Sequence, residues 1–481
     1  MMTRGAAGGW IAGEASHASR AAVVLLLVGI GYVAVADLRL SAAVMGVVAL
    51  AASAAVAVSR PQFALRAAFA IVLIAGTKLR IRDASDTLEG ALDLQIVGEL
   101  AFYAMIGTAV AAICWSHDVL RQLTRTEKLI LGYAALAALS TLWSAAPALT
   151  SIRAAQLTTI ALLAIAAVRV LGKSSALWMA CVSVAVYVIV CASLAATLPF
   201  AAQTYESAEG FRFSWFSIHP IQAGTFAAIG ALGLLSASLE PPRSAGTRHG
   251  RLFGIPALVY VAALGAVLVL TNSRGPLLAC LAGAALLVLL QVEARTRTAL
   301  VLTGGTLAGA YVAFGPDLTP WLSDLANQDS AIARLLFRGE SADTLLALNG
   351  RLDLWDTVRP AIAAHPLLGY GYQASRAILL DAADWAAYAH NALLQTVLDL
   401  GVVGTIALLA IVVVGLLGFA RGRQRGWTHA TLGALLVFLV LNSISNESFA
   451  AAPGFETLVL FICALCATTP QQSDTFEVIE L

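Results

Sequence analysis

The sequence has very few charged residues for its length. Of its 481 residues, 12% are aspartate, glutamate, lysine or arginine and 59% are hydrophobic, with a mean hydropathy of +0.84. Soluble domains carry about 25% charged residues. So little charge cannot cover the surface of a soluble protein of this size, which excludes a soluble globular domain. The net charge of +1 gives no indication of a nucleic-acid partner, and we expect none.

The sequence also lacks clustered metal ligands. Its six cysteines lie in apolar runs, where cysteine commonly packs as a small hydrophobic residue. Neither an Asp-x-Asp pair nor a histidine cluster is present. We therefore expect no metal site and no cofactor. The polar stretch up to Ser19 is not expected to belong to a cleaved signal peptide, because the apolar run after it is followed at once by others.

Apolar runs of about the length of a membrane span recur along the chain. A spanning helix needs about 20 mostly apolar residues. Runs approaching that length lie near 21–37, 40–58, 62–77, 95–114, 129–146, 152–170, 175–197, 218–238, 255–272, 276–292, 298–315, 396–419, 429–446 and 453–468. This pattern predicts an all-α polytopic membrane protein with about 12–14 transmembrane helices and one long periplasmic loop.

The longest interval without a candidate span divides the helices into two sets. We predict a bundle of about 11 transmembrane helices over residues 1–315, a periplasmic loop over 316–388, C-terminal transmembrane helices over 389–468 and a cytoplasmic tail over 469–481. The orientation follows from lysine and arginine, which are more frequent in cytoplasmic loops. With the N-terminus inside, alternating spans place the larger share of the 29 basic residues on the cytoplasmic side.

Three arginines lie on the outer side against this rule, next to apolar segments: Arg153, Arg274 and Arg351. An arginine in such a place is costly unless it is paired, so an anion-binding site is the default hypothesis. The structural alternative for Arg153 is a side chain that anchors a helix at the membrane surface. For Arg351 it is a salt bridge with Asp353 or Asp356.

Short polar motifs interrupt the apolar runs on the same side. They read LSTLWSAAPALTSIRAAQL at 139–157, TNSRGP at 271–276, NGRLDLW at 349–355, HPLLGYGY at 365–372 and HNALLQTVLDLGVVG at 390–404. Their order and spacing resemble the O-antigen ligase and O-antigen polymerase superfamily of bacterial envelope glycosyltransferases. The resemblance covers about 139–157 and 270–405, and the hydropathy pattern extends it across most of the chain.

The resemblance implies a GT-C-like fold in the bacterial inner (cytoplasmic) membrane, with the active site on the periplasmic side. It implies an inverting glycosyltransferase that moves a glycan from an undecaprenyl diphosphate carrier to an acceptor hydroxyl. For a ligase the acceptor is a lipid A core sugar; for an O-antigen or exopolysaccharide polymerase it is a second lipid-linked glycan. The sequence leaves these open, and we name the ligase first because a compact loop with one strong histidine motif is closer to that branch.

The chemistry of the motifs suits this reaction. A guanidinium presents a planar set of donors that matches phosphate oxygens, so Arg274, Arg351 and Arg153 are predicted to bind the donor diphosphate. Their charge would stabilise the departing diphosphate without a metal. His390 lies where the long loop re-enters the membrane, and an imidazole is suited to accept a proton from the attacking hydroxyl. We predict His390 as the catalytic residue, acting either as the base or as a group that orients the acceptor.

Weaker predictions concern binding of the acceptor and its sugars. They involve Asn391, Gln395, Tyr370, Tyr372, Arg212 and His219. Structural roles compete with several of them, because Gly369 and Gly371 indicate a tight turn on which the tyrosines pack. A His-Pro turn likewise has a structural explanation, both at His365 and at His219. Glu447 is a candidate for offsetting the positive charge of the arginines.

A flippase or secondary transporter for lipid-linked sugar is the alternative from another class. A transporter is expected to place charges at the bilayer midplane on broken helices. Here the charged motifs gather at one face of the membrane, which favours chemistry at its surface.

Overall fold

The computed structural model describes residues 38–77, 94–198, 201–207, 210–239, 251–293, 351–382, 388–422 and 426–469, with a few single positions between 295 and 306. The predicted spans near 21–37 and 298–315 lie outside the described residues, as do residues 316–350 of the predicted loop and nearly all of the predicted tail.

Helices make up most of the described chain. Twelve of them correspond to predicted spans, and two short ones lie in the interval between the two sets of spans. They are α1 (Leu38–Ser59), α2 (Pro61–Ala75), α3 (Leu94–Ser116), α4 (Arg125–Leu139), α5 (Pro147–Leu171), α6 (Lys173–Thr197), α7 (Pro220–Leu239), α8 (Ala257–Leu270), α9 (Arg274–Gln291), α10 (Arg351–Ala364), α11 (Arg376–Ala382), α12 (Ala392–Arg421), α13 (Trp427–Asn442) and α14 (Phe455–Thr468). Single 3₁₀ turns occupy Ser140–Leu142 and Ser448–Ala450.

Local sequence signals fix where several of these helices begin. Pro61, Pro147 and Pro220 are the first residues of α2, α5 and α7. Proline at that position gives up no helical hydrogen bond and already has a helical φ. Helix α4 begins with a capping box, in which the Thr124 side chain accepts from the Glu127 backbone N–H and the Glu127 carboxylate accepts from the Thr124 backbone N–H.

The length and composition of the helices are those of a membrane protein. Among the described residues, six helices are long and apolar enough to cross a bilayer: α3, α5, α6, α7, α9 and α12. The described part of α1 and helices α2, α8, α13 and α14 are apolar but shorter. The strands in the described part of the chain form two antiparallel hairpins, β1 (Ala202–Ser207) with β2 (Gly210–Trp215) and β3 (Arg251–Leu252) with β4 (Ile255–Pro256). The chain is therefore an all-α polytopic membrane protein.

Helix α14 forms the centre of the bundle. Every residue from Phe455 to Cys466 is buried, and the helix contacts α5, α6, α12 and α13. Such a helix is apolar on all sides because it faces protein on all sides. The ends of its neighbours are therefore held in fixed positions around it.

Contacts at one end of the bundle join segments that are distant in sequence. The Trp143 indole donates to the carbonyl of Leu368 over 3.1 Å. The Ala145 backbone N–H donates to the Tyr370 carbonyl over 2.8 Å. Two of the sequence motifs, LSTLWSAAP and HPLLGYGY, thus bind each other directly. We call this end the motif end.

A different set of contacts closes the opposite end. Arg169, at the last turn of α5, donates from Nε and Nη2 to the two carboxylate oxygens of Glu127, each over 2.6 Å. The ammonium of Lys173 donates to the carbonyl of Thr469. These contacts lie at the helix ends that the predicted alternation of spans assigns to the cytoplasmic side.

We expect the motif end to face the periplasm and both termini to face the cytoplasm. Topology reporters fused after Gly250 and after Arg425 should then give cytoplasmic signals, and a reporter after Ser341 a periplasmic one. The physical reason is the excess of lysine and arginine in the loops of the opposite end. A cytoplasmic signal at Ser341 would contradict both the orientation and the proposed chemistry.

Helix α12 is interrupted at Gly401, where φ is +63° and ψ is −164°. The HPLLGYGY segment packs against the break. The backbone N–H groups of Tyr370 and Val402 donate across it, to the carbonyls of Leu398 and Pro366. The predicted span near 396–419 is therefore two pieces, a short helix that carries the HN motif and a membrane helix that follows the glycine.

Replacing Gly401 by alanine is expected to destabilise the protein severely. Its backbone conformation is essentially restricted to glycine, at a cost of about 1–3 kcal/mol for other residues. An added Cβ would also lie 2.2 Å from the Leu367 backbone carbonyl. The thermal midpoint of purified Gly401→Ala protein should fall. Gly265→Ala is the matched control, because nothing lies within 4 Å of a Cβ there. An unchanged midpoint for Gly401→Ala would contradict the break.

Candidate functional site

His390 lies in the turn that leads into α12. Its φ of +50° is in the left-handed region of the backbone, which residues other than glycine rarely adopt. The preceding residue, Ala389, is held at both its carbonyl and its N–H. The Trp355 indole donates to the Ala389 carbonyl over 2.9 Å, and the Ala389 N–H donates to the Gln395 side chain over 2.9 Å. The structure thus joins the NGRLDLW and HN motifs through the backbone of Ala389.

The His390 ring faces a carboxylate from the loop between α13 and α14. Its Nδ1 lies 3.3 Å from Oε2 of Glu447, and the two side chains are 20% and 15% exposed. Burial raises the pKa of Glu447, but the interactions with His390, a backbone hydrogen bond and His219 together lower it more, so the net pKa lies below its ordinary value. An ionised Glu447 beside Nδ1 favours the tautomer of His390 that has its proton on Nδ1. The side-chain pair is small, polar and partly open to solvent.

His219 and its surroundings extend this pair. Dense protein around the imidazole lowers the pKa of His219, and the positive charge of Arg212 lowers it further. Glu447, His390 and Arg351 make smaller contributions to the same pKa. These five side chains, from four separate segments, therefore lie close together at the motif end. The ordinary pKa of histidine is about 6.5. The two largest effects on His219, burial and the charge of Arg212, both lower its pKa, so His219 is neutral at pH 7.

Arg212 links the β1–β2 hairpin to the TNSRGP motif. Its Nη2 donates to the Ser273 hydroxyl over 3.3 Å. Ser273 immediately precedes Arg274, whose Nε and Nη2 atoms are buried. Arg274 therefore begins α9 directly after the residue that Arg212 contacts, so we include this predicted diphosphate-binding arginine with the same group of residues.

Arg351 is the first residue of α10 and lies one turn before Trp355 on the same face. Because Trp355 is bonded to the peptide before His390, this face of α10 points Arg351 toward the cluster. Of the two acidic residues considered as its salt-bridge partners, Asp356 is paired with Arg359 over 2.8 Å. We call Arg351, Arg274, Arg212, His219, His390 and Glu447 the cluster at the motif end.

Arg153 has a different environment from the other predicted arginines. Its Nη1 donates to Glu99 on α3 and to Gln156 one turn along α5, each over 2.8 Å. The ion pair neutralises its charge within the bundle, which is a structural role. Tyr388 interacts electrostatically with Arg153. The ion pair of Arg153 and Glu99 therefore lies near the segment that leads to His390.

Asn391 and Gln395 have structural partners for their polar groups. The Asn391 side chain caps α12 by accepting from the N–H groups of Leu393 and Leu394, and its Nδ2 donates to the Ile444 carbonyl. Gln395 is buried, and its side-chain amide donates hydrogen bonds to groups inside the protein. This geometry argues against a sugar-binding role for either residue.

The two tyrosines of HPLLGYGY also have structural contacts. Tyr372 is 2% exposed and packs edge-on against Tyr133, with ring centroids 6.4 Å apart. Tyr370 donates its hydroxyl to the Ala361 carbonyl over 3.1 Å. His365 packs edge-on against Tyr370, with centroids 4.5 Å apart. The packing alternative therefore describes both tyrosines.

Two residues near the cluster received no prediction from the sequence. The Arg376 guanidinium lies 5.8 Å from the centre of the Tyr388 ring, a cation–π distance. Tyr388 stands two residues before His390 in sequence. The sequence signal for both residues was their position near a motif. Tyr388 precedes the HN motif, and Arg376 closely follows the GYGY motif.

Within the part of the chain that the structure describes, no group of three or more His, Cys, Asp or Glu side chains is placed to hold a metal ion. The expectation that the protein needs no metal stays a prediction. The cations near His390 are side chains, and their arrangement can bind an anion and hold an ionisable imidazole next to it.

Comparison with known proteins relates part of the chain to a known family. Residues 259–409 match the family model described as O-Antigen ligase. The matched region contains three of the cluster residues, Arg274, Arg351 and His390. No curated protein matches the chain. The match confirms the resemblance to the O-antigen ligase and polymerase superfamily and supports an O-antigen ligase-like glycosyltransferase in general terms.

Proposed function

We propose that the protein transfers a glycan from undecaprenyl diphosphate to an acceptor hydroxyl on the periplasmic face of the inner membrane, as an O-antigen ligase-like enzyme. The observation that carries this proposal is the contact of His390 with Glu447 beside several arginines. A general base next to an anion-binding surface is the arrangement that glycosyl transfer from a diphosphate requires.

In the proposed reaction the acceptor oxygen attacks the anomeric carbon as the bond from that carbon to the diphosphate oxygen breaks. The acceptor proton passes to Nε2 of His390, and Glu447 stabilises the resulting imidazolium. The diphosphate leaves with an additional negative charge. Attack opposite the leaving group inverts the anomeric configuration.

Three arginines would stabilise the leaving diphosphate in this scheme. Arg351 and Arg274 present guanidinium groups to its oxygens, and Arg212 lies between the hairpin and Arg274. His219 is neutral and its Nδ1 accepts from the Ile221 N–H over 3.3 Å, so its Nε2 carries a proton. That N–H is a candidate donor to a phosphate or sugar oxygen.

The acceptor distinguishes the branches of the superfamily. A ligase uses a lipid A core sugar as the acceptor, and a polymerase uses a second lipid-linked glycan. A flippase or transporter for lipid-linked sugar is less favoured, because the charges of the cluster lie at one end of the spans. Purified protein in liposomes with a defined lipid-linked donor separates these three. Product on lipid A core indicates a ligase, lengthened lipid-linked glycan indicates a polymerase, and translocation without either product would overturn the enzyme assignment.

Chelation of divalent metals is expected to leave transfer unchanged. Guanidinium groups supply the positive charge that a bound metal would otherwise provide to the diphosphate. The measurement is the transfer rate in liposomes with and without EDTA. Loss of activity with EDTA that magnesium or manganese restores would contradict this expectation.

A further inference from the structure

A buried carboxylate, that of Asp399 on α12, is linked to the segments that hold His390 and Glu447. Asp399 is 2% exposed. Its Oδ1 accepts from the backbone N–H of Ser375 over 3.2 Å and from the hydroxyl of the same residue over 2.5 Å. Its Oδ2 accepts from the side-chain amides of Gln395, over 2.8 Å, and Gln373, over 3.4 Å. Four donors thus converge on one carboxylate.

The two glutamines connect Asp399 to the two segments that hold the pair. Gln395 accepts from the N–H of Ala389, the residue before His390, over 2.9 Å. Gln373 donates to the carbonyl of Ala450, in the 3₁₀ turn that follows Glu447, over 2.9 Å. Gln395 therefore contacts the segment that holds His390, and Gln373 contacts the segment that holds Glu447.

We propose that Asp399 anchors a positioning network, with Gln395 and Gln373 as its arms, that fixes the separation of His390 from Glu447. His390 has a left-handed backbone conformation that needs support from its surroundings. The network supplies that support at the preceding peptide and restrains the opposing turn at the same time. Its effect on the reaction rate rests on the proposed function, whereas its effect on the geometry of the pair does not.

The donor count explains why the anchor is a carboxylate. An ionised aspartate has two acceptor oxygens and no donor. An asparagine in its place would present an N–H₂ group to two of the four donors. A buried polar network of this kind fixes one arrangement only when every member is satisfied. Removing one arm should therefore loosen the segment on that side.

The test reads the environment of His390 by nitrogen NMR of protein labelled with [15N]histidine in liposomes. The chain has seven histidines, and the His390 signal is the one missing from His390→Gln protein. Gln395→Met and Gln373→Met each delete one arm at nearly constant volume. Thr396→Val is the matched control, since it removes a buried hydroxyl bond to Ala392 on the same helix but outside the network.

The expected result is that the His390 resonance shifts or broadens in both methionine variants and stays unchanged in the control. The transfer rate at saturating donor should fall about 10-fold in each methionine variant with little change in donor KM. Ser375→Ala, which deletes one hydroxyl, is a milder test if neither methionine variant folds. An unchanged His390 resonance would overturn the positioning role. If the wild-type protein transfers no glycan in liposomes, the proposed function fails while the NMR result still decides the network.

Discussion

His390→Ala is expected to lower the rate of glycan transfer by about 10²–10⁴-fold, the range that general-base catalysis typically contributes. The ring nitrogen Nδ1 faces Glu447 at 3.3 Å, and the proposed mechanism assigns the acceptor proton to Nε2. Removing the imidazole leaves the arginines in place. Membrane insertion and donor binding should therefore change little, and the loss should appear in the catalytic step.

The control for this variant is His365→Ala. That imidazole packs on Tyr370 in the HPLLGYGY turn, so its loss should have a much milder effect on transfer. Both variants are compared at equal amounts of folded protein. Full activity of His390→Ala would remove this residue from the mechanism, and an equal loss in His365→Ala would indicate a structural effect of the loop.

Arg351→Lys and Arg274→Lys are expected to impair transfer by about 10–100-fold each, the range for losing one or two charge-assisted hydrogen bonds. Lysine keeps the positive charge but loses the planar fork that matches two phosphate oxygens. The measurement is transfer in liposomes at equal protein, with donor concentration varied so that binding and turnover are separated.

The matched control is Arg359→Lys on the same helix as Arg351. Arg359 is exposed and paired with Asp356 over 2.8 Å, and exposed pairs contribute little. Its transfer rate should equal that of the wild type. Wild-type activity of both Arg351→Ala and Arg274→Ala would show that the diphosphate is bound elsewhere.

Most of the helical architecture followed from the sequence because a bilayer imposes one simple requirement. Segments that cross it must be long, apolar and internally hydrogen-bonded. The interruption at Gly401 could not be predicted in this way. VLDLGVVG is nearly continuously apolar, and only the backbone of Leu367 pressed against that glycine shows why a side chain is excluded.

The candidate site was partly predictable, since His390 and two arginines stand in recognisable motifs. The pairing of His390 with Glu447 required the fold, because the two residues are far apart in sequence and meet only through the packing of α12 against its neighbours. For Asn391 and Gln395 the fold supplies partners that the sequence did not predict. Their spacing on one helix predicted a polar strip beside the acceptor, but helix capping and the buried carboxylate of Asp399 account for both.

Arg153 shows the limit of arguing from charge alone. Its outer position and apolar flanks were the same as those of Arg274, and both satisfied the default hypothesis of an anion site. The structure adds Glu99, which lies on another helix and pairs with Arg153 over 2.8 Å. Sequence position could not reveal that partner.

The most direct measurement is glycan transfer by purified His390→Gln protein in liposomes with a defined lipid-linked donor, run beside donor binding by the same protein. The glutamine amide keeps hydrogen bonding but is not basic. If His390 accepts the acceptor proton, transfer should be lost to nearly the level of His390→Ala while donor binding is retained. Substantial transfer by His390→Gln would contradict proton removal by this histidine and would mean that it only orients the acceptor.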